Sequence, residues 1–447
     1  MKNFIFFTIL VVGCSFGALS EKITLVYSDW HLVEPVWERS LKEAVAEFQA
    51  LYPNIEVVFD YVSLAEKTTK YATAMQGGKG PDVVHLQAHA EFYAFMSRGY
   101  LLNITPYVNQ EGPEFIKPWS PDVLALCQKD GQFYGLPGDL DAMLLVYNAK
   151  LFEEAGLDPD RPPKTWDEFI SYATKLTQDS DGDGVIDRWG FAFPGSISPS
   201  FQLRFMPFLY SFGADILTSD YKCCALNSPN AKEAMQFVGD LVTKYKVMSP
   251  AVSGYGAGDC RNLMAFEKVA MLIEGPWTLS IIQGINPSVN WRDNLRVAPV
   301  PVKNGHEGPR TTAELTIWAV NANTKHPYEA WLLVKFLTSK EMQEKFWRDN
   351  YVIPSRLDVS GGNGFEPYQP LAADTGWSLV FAQELPFVRI VPQLEEWPEI
   401  IEVVNVAMQQ AWTQQKPALQ ALEEAYTMIN RILVAYRLPG EKCPQFK

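Results

Sequence analysis

Positive charge is in short supply in this chain: Lys and Arg total 38 against 52 Asp and Glu, a formal charge of -14. A phosphate backbone selects a basic footprint, so nucleic acid is not the expected partner. Cysteine is sparse, at 6 residues, and no CxxC spacing occurs, which removes the common cysteine-based zinc frameworks. Past the first twenty residues no stretch offers about eighteen uninterrupted apolar positions, so no membrane-spanning helix is expected in the mature chain. There is no low-complexity linker and no internal repeat. Gly254-Tyr255-Gly256-Ala257-Gly258 lacks the strand context and final glycine spacing of a dinucleotide fingerprint.

What is present fits an ordinary globular protein. The 447 residues are 47% hydrophobic and 20% charged, enough for two or three compact units at roughly 150 residues each. Aromatics are plentiful, with 13 Trp, 19 Tyr and 26 Phe, flat apolar faces that serve either cores or ligand stacking. Residues 1–20 read as an export signal: Lys2, an apolar run from Phe4 to Val12, then small residues. Cleavage after Ala18-Leu19-Ser20 gives a periplasmic or otherwise exported protein, whereas Val11-Val12-Gly13-Cys14 is a loose lipobox that would leave Cys14 as a lipid anchor on the cell surface. Loss of Cys14 leaves Cys127, Cys223, Cys224, Cys260 and Cys443, an odd set with at least one unpaired thiol. An oxidising compartment permits a bridge such as Cys223 or Cys224 to Cys260, which the sequence does not assign.

Short apolar runs alternate with helical periodicity. Ile23 to Tyr27, Ile55 to Phe59 and Asp82 to Leu86 read as strands, separated by helical patterns through Val36 to Phe48 and Ser63 to Met75. A second series starts at Leu144 to Tyr147. Thr165-Trp166-Asp167-Glu168 is a capping box opening a helix through Leu176, and Ser228-Pro229 starts another. Val269 to Ile273 and Arg296 to Val302 read as strands, Tyr328 to Leu337 and the region through Leu433 as helices. The pattern predicts an α/β fold of two lobes, mainly parallel sheets flanked by helices, with a cleft at the carboxyl ends of the strands.

Tyr147-Asn148-Ala149-Lys150-Leu151-Phe152-Glu153-Glu154-Ala155-Gly156-Leu157, followed by Pro163-Lys164-Thr165-Trp166-Asp167-Glu168-Phe169, resembles the middle of bacterial extracellular solute-binding proteins of family 1. The likeness continues through Gly80-Pro81-Asp82-Val83-Val84, Leu226-Asn227-Ser228-Pro229, Gly275-Pro276-Trp277 and Val352-Ile353-Pro354-Ser355-Arg356, and so spans nearly the whole mature chain. These are the maltose/oligosaccharide-type receptors of ABC importers. The resemblance implies a two-lobed clamp with a hinge (type II), a sugar or oligosaccharide ligand, ABC permease subunits in the membrane as partners, no catalysis, and a monomer. It places the lobes near 22–137 plus 312–350 and 138–311 plus 351–447. Leu144 and the pair Ala313-Glu314 depart from the family pattern, which prefers a small residue and a Gly-Gly pair there.

A sugar has hydroxyls on its edge and C–H groups on its faces, so its receptor needs aromatic planes together with carboxylates or amides. Trp277, beside Gly275, is the first stacking candidate, with a core tryptophan as the plain alternative. Asp29 and Trp30 end the first strand, where α/β ligand sites concentrate. Asp141 aligns with an acidic contact position of the maltose-type members. Gln87 and His89 fall just past the third strand, with an exposed helix-start role as the alternative for His89. Glu274 either bonds hydroxyls or makes a salt bridge across the lobes. Trp397 lies near the family's late aromatic subsite, although Ile401 holds the aligned position. A rival reading is an exported carbohydrate-cleaving enzyme; a receptor for a phosphorylated polyol or a polyamine is the alternative within the receptor class.

One further motif stands apart. Asp179, Asp181, Asp183, Val185 and Asp187 follow the oxygen-ligand spacing of an EF-hand loop, with Gly184 at the turn, but Gly190 stands where a bidentate Glu belongs. The spacing predicts a structural calcium ion, and the alternative is a solvated Asp/Gly turn.

Overall fold

The computed structural model describes residues 22–179, 182–360, 376–437 and 442–444. In chain order the strands are β1 (Ile23–Asp29), β2 (Ile55–Tyr61), β3 (Val83–Gln87), β4 (Gln128–Lys129), β5 (Gln132–Phe133), β6 (Gly135–Ala142), β7 (Leu144–Asn148), β8 (Trp189–Phe191), β9 (Val269–Glu274), β10 (Leu295–Ala298) and β11 (Ala313–Val320). One sheet has the order β2-β1-β3-β11-β6 and the second β10-β7-β9-β8, while β4 and β5 form a separate hairpin.

β1 runs parallel to β2 and β3, and β8 parallel to β9, the pairings that alternating strands and helices predict. The sheets are mixed, however, and not mainly parallel: β11 is antiparallel to β3 and β6, and β7 to β9 and β10. Connectivity explains the difference. β11 enters the first sheet from the second lobe, and β7 follows β6 after the single residue Met143, so neither arrives through a crossover helix of its own sheet. Strand pairing keeps β6 in the first sheet through Ala142, past the position 138 at which the sequence reading begins the second lobe. Where the chain passes between lobes its segments are tied together. The Met143 N–H donates to Thr312 O at 2.9 Å, and the Arg389 N–H to Thr311 O at 2.8 Å. Three short passages joined side by side make a hinge.

The helices follow their local signals. Pro35–Leu51 buries Trp37, Leu41, Ala44, Val45 and Phe48 on one face. Trp166–Leu176 starts under the expected capping box, where Thr165 Oγ1 accepts from the Glu168 N–H at 3.2 Å. Pro229–Thr243 starts under Ser228, whose Oγ accepts from the Ala231 N–H at 3.4 Å. One important helix starts with Ser198-Pro199 but makes no side-chain cap hydrogen bond. Pro199–Ser211 buries every residue from Ser200 to Ser211, so it shows no polar face for periodicity to detect. The disulfide also differs from the pairings considered above: Cys223 bonds Cys443, 220 residues away, while Cys260 is a buried free thiol. Its partner is thus the returning carboxyl-terminal tail. Among the described residues no helix is long and apolar enough to cross a membrane; the signal at 1–20 and Cys14 lie outside the described residues.

Candidate ligand-binding cleft

β1 and β3 of the first sheet end at Asp29 and Gln87, and β9 of the second ends at Glu274. These ends converge on a narrow cleft between the lobes. Trp30, His31, Glu34, Gln87, Asp139 and Glu314 line the first-lobe side. Ser200, Leu203, Arg204, Arg261 and Trp277 line the other. In this conformation the walls leave only about 20 Å³ between them, room for about one water molecule, so a ligand enters only when the lobes part. The walls almost meet. Arg261 Nη1 reaches across to Glu34 Oε1 at 3.8 Å.

The first wall rests on a stack of rings. Trp30 opens a short turn capped by Asp29, whose Oδ1 accepts from the His31 N–H at 2.9 Å. The Trp30 ring lies 4.7 Å from His85 at 22°, and His85 lies 4.0 Å from Trp318 at 4°. Lys67 Nζ stands 4.4 Å from the Trp30 ring centre, a cation–π contact. Lys67 forms a buried ion pair with Glu91, whose Oε1 also accepts from the Gln87 N–H at 3.2 Å. Trp30 and Gln87 are therefore held by one buried pair. Gln87 Oε1 itself has no protein partner among the described residues.

Asp29 lies beneath this wall, fully buried, and is not part of the lining. It accepts from the Tyr27 hydroxyl, from His31 Nδ1 at 3.1 Å and from His85 Nδ1 at 2.9 Å. Burial alone would raise its carboxyl, but the two imidazoles, His85 first, hold it well below the usual carboxylate range. His31 is raised, because attraction to Asp29 outweighs burial, whereas burial lowers His85. Among the described residues Asp29, His31 and His85 are the cluster compact enough to hold a metal ion, yet the separations are those of hydrogen bonds. Asp29 orients Trp30 and His31 from below.

Three carboxyl groups meet at the base of the cleft. Glu314 on β11 pairs in register with Asp141 on β6, two residues from Asp139. Asp139 lines the cavity and its Oδ1 accepts from Thr316 Oγ1 at 2.6 Å. Asp141, the position expected to contact ligand, is turned inward: its Oδ1 accepts from the Ile353 N–H at 2.6 Å. Burial, then repulsion by Asp139, raises its carboxyl well above the ordinary value. Burial pushes Glu314 up to about 7 against a hydrogen bond from Gln87, with Asp139 adding to the rise.

Across the cleft, Glu274 Oε2 gathers donors from its own lobe: Arg204 at 2.6 Å, Arg261 at 3.3 Å, Trp277 Nε1 at 3.2 Å and Thr278 Oγ1 at 3.3 Å. Burial would raise this carboxyl, but Arg204 and Arg261 hold it below its ordinary value. Glu274 therefore positions two arginines and a tryptophan instead of bridging the lobes. Trp277 is 8% exposed and lines the cleft. Trp397 does not: it is buried, and its Nε1 donates to Gln202 Oε1 at 2.6 Å, so it belongs to the core of the second lobe. His89 falls in the turn Ala88–Phe92, and its side chain lies outside the described residues.

Sequence reasoning missed Asp139, Arg204, Arg261 and His31. Charged residues on buried elements leave no trace in a hydrophobic pattern, although Glu314 had stood out as a departure from the family's Gly-Gly pair. In the separate Asp loop, Asp179 Oδ1 and Oδ2 accept from the N–H groups of Gly182 and Gly184, both at 2.7 Å, and Asp183 Oδ1 from that of Val185 at 2.7 Å. Gly182 and Gly184 take the positive φ values of 78° and 87° that the tight winding requires. Asp187 also belongs to this loop; Ser180 and Asp181 lie outside the described residues.

Known proteins place this geometry in context. A binding protein of Brucella abortus (strain 2308) is 27% identical over 395 residues, 88% of this chain and 89% of the relative. The maltotriose-binding protein of Pyrococcus abyssi is 24% identical over 336 residues, 74% of this chain and 66% of the relative. A solved ABC transporter solute-binding protein of Thermotoga lettingae TMO, bound with alpha-D-tagatose, superposes with a TM-score of 0.82. It is 28% identical and covers 92% of this chain and 100% of its own. The family model for bacterial extracellular solute-binding proteins matches residues 34–344. With its two-lobed α/β fold and interlobe cleft, the chain belongs to the bacterial extracellular solute-binding protein family.

Proposed function

We propose that this protein is the receptor of an ABC importer, capturing a sugar between its lobes and delivering it unchanged to the permease subunits in the membrane. The observation that carries the reading is the presence of Trp30 and Trp277, one from each lobe, in a cleft that also presents carboxylates, an amide and guanidinium groups. Aromatic planes cover the C–H faces of a sugar while the polar groups take its hydroxyls. Both walls engage the ligand only when the hinge closes, so closure reports occupancy to the permease. The relatives that bind maltotriose and tagatose support a carbohydrate ligand, and the family supports an exported location.

A thermal-shift screen against a sugar panel tests the reading, because a ligand bound only by the native state raises the melting temperature. A shift with one sugar, a smaller radius of gyration by small-angle scattering and recovery of the sugar intact are expected. Cleavage products would instead identify a carbohydrate-active enzyme, and an absence of any shift would contradict the sugar assignment.

We also propose that the Asp179–Asp187 loop binds a structural calcium ion. The ligand spacing and the wrapping of backbone N–H groups around Asp179 support it. Chelator should lower the melting temperature, and Asp183→Ala should abolish that response. Identical melting with and without chelator would contradict the proposal.

A further inference from the structure

Resting on the sugar-receptor reading, we infer that the ligand is a neutral, compact polyhydroxylated molecule, one sugar ring or an open-chain sugar alcohol of similar size, and neither an oligosaccharide nor a charged solute. Two independent features of the cleft lead there, the polarity of its walls and the aromatic planes it offers.

The walls are opposed in character. The first lobe presents mainly acceptors: beside the His31 imidazole stand the carboxyls of Glu34, Asp139 and Glu314, with the unpartnered Oε1 of Gln87 among them. The second presents donors, the guanidinium groups of Arg204 and Arg261, whose Nε atoms are buried and without partners among the described residues. A hydroxyl donates one hydrogen bond and accepts others, so a row of hydroxyls satisfies both walls at once. A phosphate would face the carboxyls of the first wall. A polyamine would face the arginines of the second. Either leaves an uncompensated charge in an enclosed site, which is costly. The two arginines are moreover already matched by two carboxylates, both by Glu274 and Arg261 also by Glu34, so they do not offer an unneutralised anion clamp.

Size follows from the aromatic planes the cleft offers. Trp30, Gln87, Asp139, Arg204 and Glu314 are each at most 5% exposed, and Arg261 approaches Glu34 from the other side of the cleft. A chain of sugar rings needs further aromatic planes beyond the first. Trp397, the candidate for such a plane, is sealed into the core by Gln202, and Ile401 lines the neighbouring groove in its place.

Isothermal titration of the full chain, freed of bound ligand by unfolding and refolding, tests the inference. The probes are glucose, galactose, fructose, tagatose, ribitol, sorbitol, maltose, maltotriose, glycerol 3-phosphate and spermidine. At least one single-ring sugar or sugar alcohol should bind a hundredfold or more tighter than maltose and maltotriose, with neither charged probe competing. Tightest binding of maltose or maltotriose would overturn this inference while leaving the sugar reading intact. Tightest binding of glycerol 3-phosphate or spermidine, or no binding of any probe by protein that has regained its native circular dichroism, would overturn both. As a check on the walls, Asp139→Asn should weaken the best neutral ligand at least tenfold with native circular dichroism retained; unchanged affinity would remove the acceptor wall from the argument and overturn it.

Discussion

The ring of Trp277 lies directly on Gly275: a Cβ at that glycine would stand 2.4 to 2.6 Å from the ring carbons. The glycine is thus the seat of the tryptophan, and the strand end β9 presents an indole to the cleft only because the residue two positions earlier has no side chain. Gly275→Ala should push the ring out of place. We expect ligand affinity to fall by tenfold or more in isothermal titration, while the circular dichroism spectrum stays native. Undiminished affinity would detach Trp277 from recognition.

Trp277 and Trp397 are both buried tryptophans in the second lobe with opposite expected roles. Trp277→Ala should cost about 1 to 3 kcal/mol of binding, the value of one large apolar contact. Trp397→Ala should instead cost about 3 to 5 kcal/mol of folding stability through the cavity it leaves, with affinity within twofold of the parent protein. Denaturant melts and titrations on the two variants separate these roles, and the reverse pattern would exchange them.

Glu314 gives stability a defined pH dependence. Its ordinary value is 4.5 and its folded value is about 7, so between those pH values the native state binds more protons than the unfolded chain. Stability therefore falls as pH rises through that window, by on the order of 3 kcal/mol for this group alone. His31, raised from 6.5 by Asp29 in spite of burial, adds a loss of the same sign above that pH. Glu314→Gln should match the parent protein near pH 4.5 and exceed it in melting temperature near pH 8. A variant less stable than the parent at pH 8 would show that the carboxylate is favourably paired.

The Cys223–Cys443 bridge joins the second lobe to the carboxyl-terminal tail across 220 residues. A cross-link over so long a loop removes much freedom from the unfolded chain, and the typical contribution is about 2 to 4 kcal/mol. Cys443→Ser should lower the melting temperature by several degrees and leave sugar affinity within twofold. An unchanged melting temperature would mean that the tail does not constrain the fold.

Much of the fold was legible because its signals are local. The capping box at Thr165, the Ser228-Pro229 start and the apolar runs of β1 to β3 each depend on neighbours in sequence. The antiparallel entry of β7 and β11 was not, since it depends on how often the chain changes lobes. In the site, Trp30, Gln87 and Trp277 were found at the lining because strand ends and aromatic type mark them. Asp29 and Asp141 were placed one layer too near the ligand: a carboxylate at a strand end can face the cleft or the core, and only the positions of His31, His85 and Ile353 decide it. Arg204 escaped altogether, as a charged residue on a helix buried along its length.

In the proposed function an intact sugar is held between Trp30 and Trp277 by closure of the two lobes. The most direct measurement is a crystal structure of the protein grown with the tightest-binding sugar of the panel. Unbroken sugar density is expected in the cleft, its ring faces against Trp30 and Trp277 and its hydroxyls within hydrogen-bond distance of Asp139 and Arg204. Sugar bound elsewhere, or density only for cleaved products, would contradict it.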